Sequence, residues 1–163
     1  MKQATLCLLV KRNHESNEIA EVCLAMKKRG FGEHKWNGVG GKLHEGETHE
    51  EAIAREAQEE IGVILRDFHK VAVLSFMFKD HPDWGQQVHT YICEQWLNEP
   101  TESEEMKPAW FKLTDIPYNE MWWDDRIWMP RVFSGEKLQG DFWFEGDDKL
   151  VDQKIEVVEK FKS

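Results

Sequence analysis

The stretch GKLHEGETHEEAIAREAQEEIGV, residues 41–63, decides how this chain is read. Residues 47–61 within it carry no glycine or proline and are rich in helix formers, so they predict a helix. Thr48 with Glu51 three positions on makes a capping box at its start, and Gly62 is a stop signal. At about 100° per residue, Ile53, Ala54, Ala57 and Ile61 share one face. Glu56, Glu59 and Glu60 occupy a roughly 100° arc beside that face, at its edge rather than opposite it. Like charges one turn apart cost a helix roughly 0.2–0.5 kcal/mol per pair. Glu51 can pair with Arg55 at i,i+4. Taken alone, the acids are either a solvated face or a face turned toward something positive.

Outward from the helix, TLCLLVKR (5–12) and EIAEVCLAMKK (18–28) read as strands joined across NHESN. The segment RGFGEHKWNGVGG (29–41) holds five glycines in thirteen residues, a loop that lets other groups approach its backbone. HKVAVLSFMFKD (69–80) and QVHTYICEQWL (87–97) predict two long strands about a Pro/Asp/Gly turn. After the polar connection NEPTESEEMKP (98–108), AWFKL (109–113) is a short strand, followed by a turn at TDIPYNE. Pro130 predicts that any helix in WMPRVFSG starts close to it, since proline suits the first turn. KLQGDFWFEG and LVDQKIEVV read as two closing strands. No repeat or linker divides the chain, so residues 1–163 are expected to form a single domain.

Composition narrows the function. With 40% hydrophobic residues in 163, the chain can bury a real core. A net charge of −10 disfavours a nucleic-acid polymer as partner. A phosphorylated small molecule remains compatible if a metal ion or a few basic groups offset the charge locally. Three cysteines, Cys7, Cys23 and Cys93, lie in apolar runs without a paired pattern, which points to free thiols in a reducing, cytoplasmic setting. The apolar run before Lys11 is too short to span a membrane. Eight tryptophans, five of them from Trp110 to Trp143, supply flat surfaces for a core or for a planar ligand.

From Gly41 the sequence satisfies G-x5-E-x7-R-E-u-x-E-E-x-G-u, with u usually a bulky aliphatic, through Gly41, Glu47, Arg55, Glu56, Glu59, Glu60, Gly62 and Val63. It resembles the Nudix box, departing only at Ala57. The resemblance implies an α/β Nudix fold, a mixed β-sheet sandwiched between α-helices. It also implies that Glu56, Glu59 and Glu60, with the backbone carbonyl of Gly40, hold Mg2+ (Mn2+ being the alternative) through hard oxygen ligands. Such ions neutralise a polyphosphate and activate a bound water, which one glutamate of the set helps to position. Arg55 would fix a glutamate by an ion pair.

MKKRGFGEHKWNGVGGK (26–42) and EMKPAWFKLTDIPYNEMWWDD (105–125) are similar to a subgroup, the oxidised purine nucleoside triphosphatases acting on 8-oxo-dGTP and 2-hydroxy-dATP. By that resemblance Trp122 stacks on the purine while Phe31, Phe76 and Phe78 line the pocket. Asp124 and Asp125 meet the base edge, Asn37 is a second polar reader, and Thr5 and Lys27 lie near the sugar and pocket floor. Glu105 would add a metal or water contact. Two adjacent carboxyls facing an apolar pocket tend to share a proton, giving one donor and one acceptor. Plainer roles compete: Asp124 as a helix cap, Trp122 as core, Phe76 and Phe78 as a buried strand face, Asn37 as a turn former. Trp123 replaces the small or cyclic residue of the subgroup and is placed to reshape the pocket. His34, His44, His49 and His89 read as surface or packing residues. The expected partner is a small-molecule nucleotide, bound by a monomer; the alternatives are ADP-ribose, a dinucleoside polyphosphate, or an inert binding module.

Overall fold

Strand β1, Lys2–Arg12, is the axis of the sheet. In the computed structural model, which describes residues 1–146 and 148–161, β1 pairs in parallel with β5 (Gln86–Leu97) along one edge. Its other edge is shared. The C-terminal half pairs with β2 (Ile19–Lys27), and the N-terminal half meets the glycine loop through bridges at Cys7–Val39 and Ala4–Lys42. Beyond β5 the order continues through β4 (Ile64–Phe78), β7 (Leu138–Glu145) and β8 (Lys149–Val157). β3 (Trp36–Asn37) and β6 (Met106–Lys112) both pair with β2. The sheet is mixed, as expected: β1–β5 and β4–β7 are parallel and the other pairs antiparallel.

Alternation along the strands builds a core on each face. Leu8, Val10, Leu74, Ile92 and Phe142 join the side chains of α2 (Asp125–Phe133), while Cys7, Leu9, Tyr91 and Cys93 meet α1 (His49–Ile61). All three thiols are free and buried. In α1 the capping box forms as predicted. The Glu51 amide donates to Thr48 Oγ1 at 3.1 Å, the Thr48 amide to Glu51 Oε1 at 3.0 Å, and Gly62 closes the helix at φ 72°.

β1 begins at Lys2 rather than Thr5, the two-residue strand β3 falls within the expected loop, and three further boundaries differ from expectation. β4 begins at Ile64, because the Gly62 stop feeds the chain directly into pairing with Leu97. β6 begins at Met106 and includes Pro108; it pairs with β2 alone, and a sheet edge tolerates a missing donor. α2 starts at Asp125, so Pro130 lies inside it. Its first turn is set earlier, where the Asp124 carbonyl accepts the amides of Ile127 (2.9 Å) and Trp128 (3.2 Å). Trp128 and Met129 are fully buried, and their burial, worth roughly 1.5–3 kcal/mol per side chain, offsets the proline. The turn at TDIPYNE forms as two 3-10 segments, Leu113–Asp115 and Tyr118–Glu120.

Under the N-terminus of α1, His49 stacks on His89 with ring centres 3.6 Å apart, and His49 Nε2 meets Gln3 Oε1 at 2.9 Å. Burial, then the charges of Lys70 and His49, push the His89 imidazole down to about 4; burial, then Lys70, also lowers His49, against Glu50. The unfolded chain therefore binds protons that the folded one refuses. Stability from this pair is present above about pH 6.5 and is lost as pH falls toward 4. Thermal melts from pH 7.5 to 4.5 should show a steeper acid-side fall for the wild type than for His89→Gln; parallel curves would refute this.

Candidate active site

Gly38 and Gly40 face β1 across a gap that no side chain fits. A Cβ on Gly40 would lie 1.9 Å from the Thr5 carbonyl oxygen, and one on Gly38 2.6 Å from that of Cys7. The Thr5 amide and Oγ1 both donate to the Gly41 carbonyl, at 2.9 and 3.3 Å. That contact carries the loop onto α1, where a Cβ on Gly41 would meet Glu56 Oε1 at 2.7 Å.

Arg55 organises the acids. Its guanidinium grips Glu47 through two bonds, 2.6 and 3.0 Å, and reaches Glu56 at 2.8 Å, Glu59 at 3.3 Å and the Lys42 carbonyl at 3.3 Å. Bonding to Arg55, foremost, holds the Glu47 carboxyl down at about 2, and Arg55 in turn keeps its proton more firmly. Glu60 is 8% exposed and its Oε2 has no partner. Burial and then the neighbouring Glu56 carboxyl push it up to about 9, against Lys27 and the Gly40 amide. Glu56 and Glu60 thus share one place. Glu59 is turned to Arg55 on the exposed side, and Glu105 pairs with Arg29 at 2.9 Å. Among the described residues no three His, Cys, Asp or Glu side chains lie together as a metal-binding group.

From Glu56 a cavity of about 790 Å³ runs along the sheet to the N-terminus of α2. Thr5, Lys27, Phe31, Asn37, Gly40, Phe76, Phe78, Trp122, Asp124 and Asp125 all line it, which brings the expected base-pocket residues into one space with Glu56. Phe76 and Phe78 stack on Phe142 and Phe144 of β7 and form an apolar wall. Asn37 Oδ1 accepts the Gly38 amide at 2.9 Å, leaving its NH2 for a ligand. Trp123 turns away: it is half exposed, with Arg126 stacked 3.5 Å over its ring, and does not line the cavity.

The acid pair is buried at 3% and 2% exposure. Asp124 makes no capping bond; its Oδ2 accepts Trp128 Nε1 at 2.8 Å, one helical turn on. Burial raises the Asp124 carboxyl to about 6, and burial with the charge of Asp124 raises Asp125 well above the usual range. Two adjacent buried carboxyls, both raised, are disposed to share a proton, which makes a donor beside an acceptor. Asp125 Oδ2 has no partner. Trp84, Lys35 and Trp128 also line the cavity and were not anticipated. The Asp124–Trp128 spacing was a signal for the last; an indole in a Pro/Asp/Gly turn gave none for Trp84.

The NUDIX domain model matches residues 1–132. The chain belongs to the NUDIX domain family. It is 42% identical to the zebrafish (Danio rerio) oxidized purine nucleoside triphosphate hydrolase over 138 residues, covering 85% of this chain and 88% of that one. The mouse (Mus musculus) protein of the same name is 42% identical over 140 residues, 86% and 89% of the two chains. The fold matches a mutator MutT protein from Bacillus halodurans at TM-score 0.79, with 23% identity over 95% of this chain and 97% of that one.

Nudix hydrolases use a divalent metal. The residues here suit one: Glu60 offers a buried oxygen without a partner beside Glu56, and the bare Cα of Gly41 leaves room for that carboxylate.

Gly41→Ala tests the cradle. The clash falls on the end of a flexible side chain, so melting should shift little while calorimetric Mn2+ affinity drops about 10- to 100-fold. Unchanged ion binding would show that Glu56 is not held by this contact. The Asp pair is tested by pH. A raised carboxyl favours the folded state below about pH 4, and that stability is lost as pH rises through about 6. Asp124→Asn should flatten the melting curve across this interval; an unaltered slope would count against the shift.

Proposed function

We propose that this chain is a single-domain, Mg2+-dependent Nudix hydrolase, with Mn2+ as the alternative ion, that cleaves oxidised purine nucleoside triphosphates to the monophosphate and pyrophosphate. The observation that carries this reading is the buried Asp124–Asp125 pair lining the same cavity as Glu56. One end suits the edge of a base and the other a polyphosphate.

In this reading Glu56, Glu60 and the Gly40 carbonyl would hold the ion, and Glu59 and Glu105 would join it once freed from Arg55 and Arg29. The ion supplies charge neutralisation and a more acidic water. Arg55 keeps Glu56 in place while its grip on Glu47 ties the helix to the loop. A glutamate of the set takes the proton as water oxygen bonds to phosphorus and the P–O bridge breaks toward pyrophosphate. Trp122, Phe31, Phe76 and Phe78 enclose the base. Asp125, protonated, donates to its edge, Asp124 accepts, and the Asn37 NH2 adds a donor. Lys27 and Thr5 face the sugar. Exchanging which acid carries the proton lets one pocket read oxidised guanine and oxidised adenine. The relatives' names support the substrate class.

The enzyme acts as a cytoplasmic monomer on a small nucleotide. Its cysteines are free thiols, and the outer strand β8 carries Lys149, Asp152, Lys154 and Glu156, which discourage edge pairing. Among the described residues no helix is long and apolar enough to cross a membrane.

Steady-state turnover of 8-oxo-dGTP, dGTP and ADP-ribose by one preparation is the direct test. The oxidised nucleotide should show the highest kcat/KM, and faster cleavage of ADP-ribose would sink the pocket assignment. Glu60→Gln should lower kcat by about 100-fold or more with the fold intact, because the negative charge and one of the two buried oxygens at the ion site are lost. An active Glu60→Gln enzyme would rule out that site.

A further inference from the structure

At its closed end the cavity meets Thr90 of β5. Three strands fix that end. The lining stops at Leu6 on β1, at Leu74 on β4 and at Thr90 on β5. The next residues on the same face, Leu8, Ala72 and Ile92, belong to the core under α2. Trp128 of α2, fully buried, lines the cavity from the helix side.

Thr90 is 0% exposed, and its Oγ1 has no hydrogen-bond partner among the described residues. Its neighbours across the sheet cannot supply one, since Leu6 on β1 and Ala72 on β4 carry apolar side chains. The Trp128 indole has a single N–H and donates it to Asp124. A hydroxyl shut away from water without a partner costs the fold stability, and valine would fill the same volume without that cost. Asp125 Oδ2, in the same cavity, is also buried and unpaired. A ligand whose polar atoms reach the closed end accounts for both oxygens at once.

We propose that Thr90 is a substrate-reading residue, its hydroxyl bonding a polar atom of the base at the closed end of the cavity. The inference rests on the purine reading above and adds a neutral group on the sheet to the acids of α2. A hydroxyl both donates and accepts, so it suits either a carbonyl or an N–H at the inner edge of the base. A base with no polar atom there leaves the hydroxyl unpaired and is disfavoured.

The test sets wild type beside Thr90→Val and Thr90→Ser. Each is melted without nucleotide, assayed on 8-oxo-dGTP, and titrated in a calorimeter with 8-oxo-dGMP, the monophosphate that the purine reading names as product. Thr90→Val keeps the shape of the side chain and removes its hydroxyl. It should melt at or above the wild-type temperature, because the unpaired oxygen is gone. It should nevertheless bind 8-oxo-dGMP roughly 3- to 12-fold more weakly and raise KM by a similar factor, with kcat within about twofold. Thr90→Ser should stay within about twofold of wild type in affinity. Affinity falling while stability holds or rises is a result that a purely structural threonine does not give. Three outcomes overturn the proposal while leaving the purine reading standing: Thr90→Val binding like wild type, Thr90→Val melting lower or failing to fold, or Thr90→Ser binding as weakly as Thr90→Val. A wild type that neither turns over 8-oxo-dGTP nor binds 8-oxo-dGMP overturns both.

Discussion

Everything in this molecule hangs on the close passage of Gly38–Gly41 along β1. With β2 occupying only the C-terminal half of that strand edge, the remaining donors and acceptors go to the glycine loop. Cys7 exchanges two bonds with Val39, at 2.6 and 3.1 Å, and Thr5 donates to Gly41. Because the pairing is backbone to backbone, it holds whatever the neighbouring side chains do. It fixes the loop ahead of α1 and so sets where the carboxylates of that helix stand. Arg55 then works locally, gathering acids that would otherwise repel one another.

The sheet separates two kinds of chemistry. α1 packs on the Cys7–Leu9 face and α2 on the Leu8–Val10 face. The cavity joins them at the strand ends near Thr5 and Val88. Charge is handled differently on each side. Around Arg55 the acids are compensated by a neighbouring cation, whereas at Asp124–Asp125 burial without a cation raises both carboxyls and favours their neutral form. One arrangement invites a cation and the other makes a neutral hydrogen-bond donor.

What was legible in the sequence was local or periodic. The capping box at Thr48, the stop at Gly62, and the position of Glu60 beside the buried face all follow from spacing along one helix. The motif at residues 41–63 identified the family for the same reason. Features set by distant partners were hidden. Nothing around Pro130 announces that Asp124 and buried Trp128 would start the helix five residues earlier. Nothing in EEMKP shows that β2 would have an open edge to pair with Met106. The pull of Arg55 on Glu59 and of Arg29 on Glu105 depends on side-chain reach across the fold. Trp123 illustrates the limit best: adjacent to Trp122 in sequence, it leaves the pocket because Arg126 offers its ring a partner.

The same division bears on how such an enzyme diversifies. The residues lining the apolar end of the cavity come from the start of α2, the loop at residues 30–37, β4 and the turn after it, while the carboxylates at the other end come from α1. Groups on separate elements with no shared contacts respond to mutation almost independently. A lineage can therefore reshape the apolar end of the cavity through a helix start, a strand end and two connections while the carboxylates of α1 stay as they are.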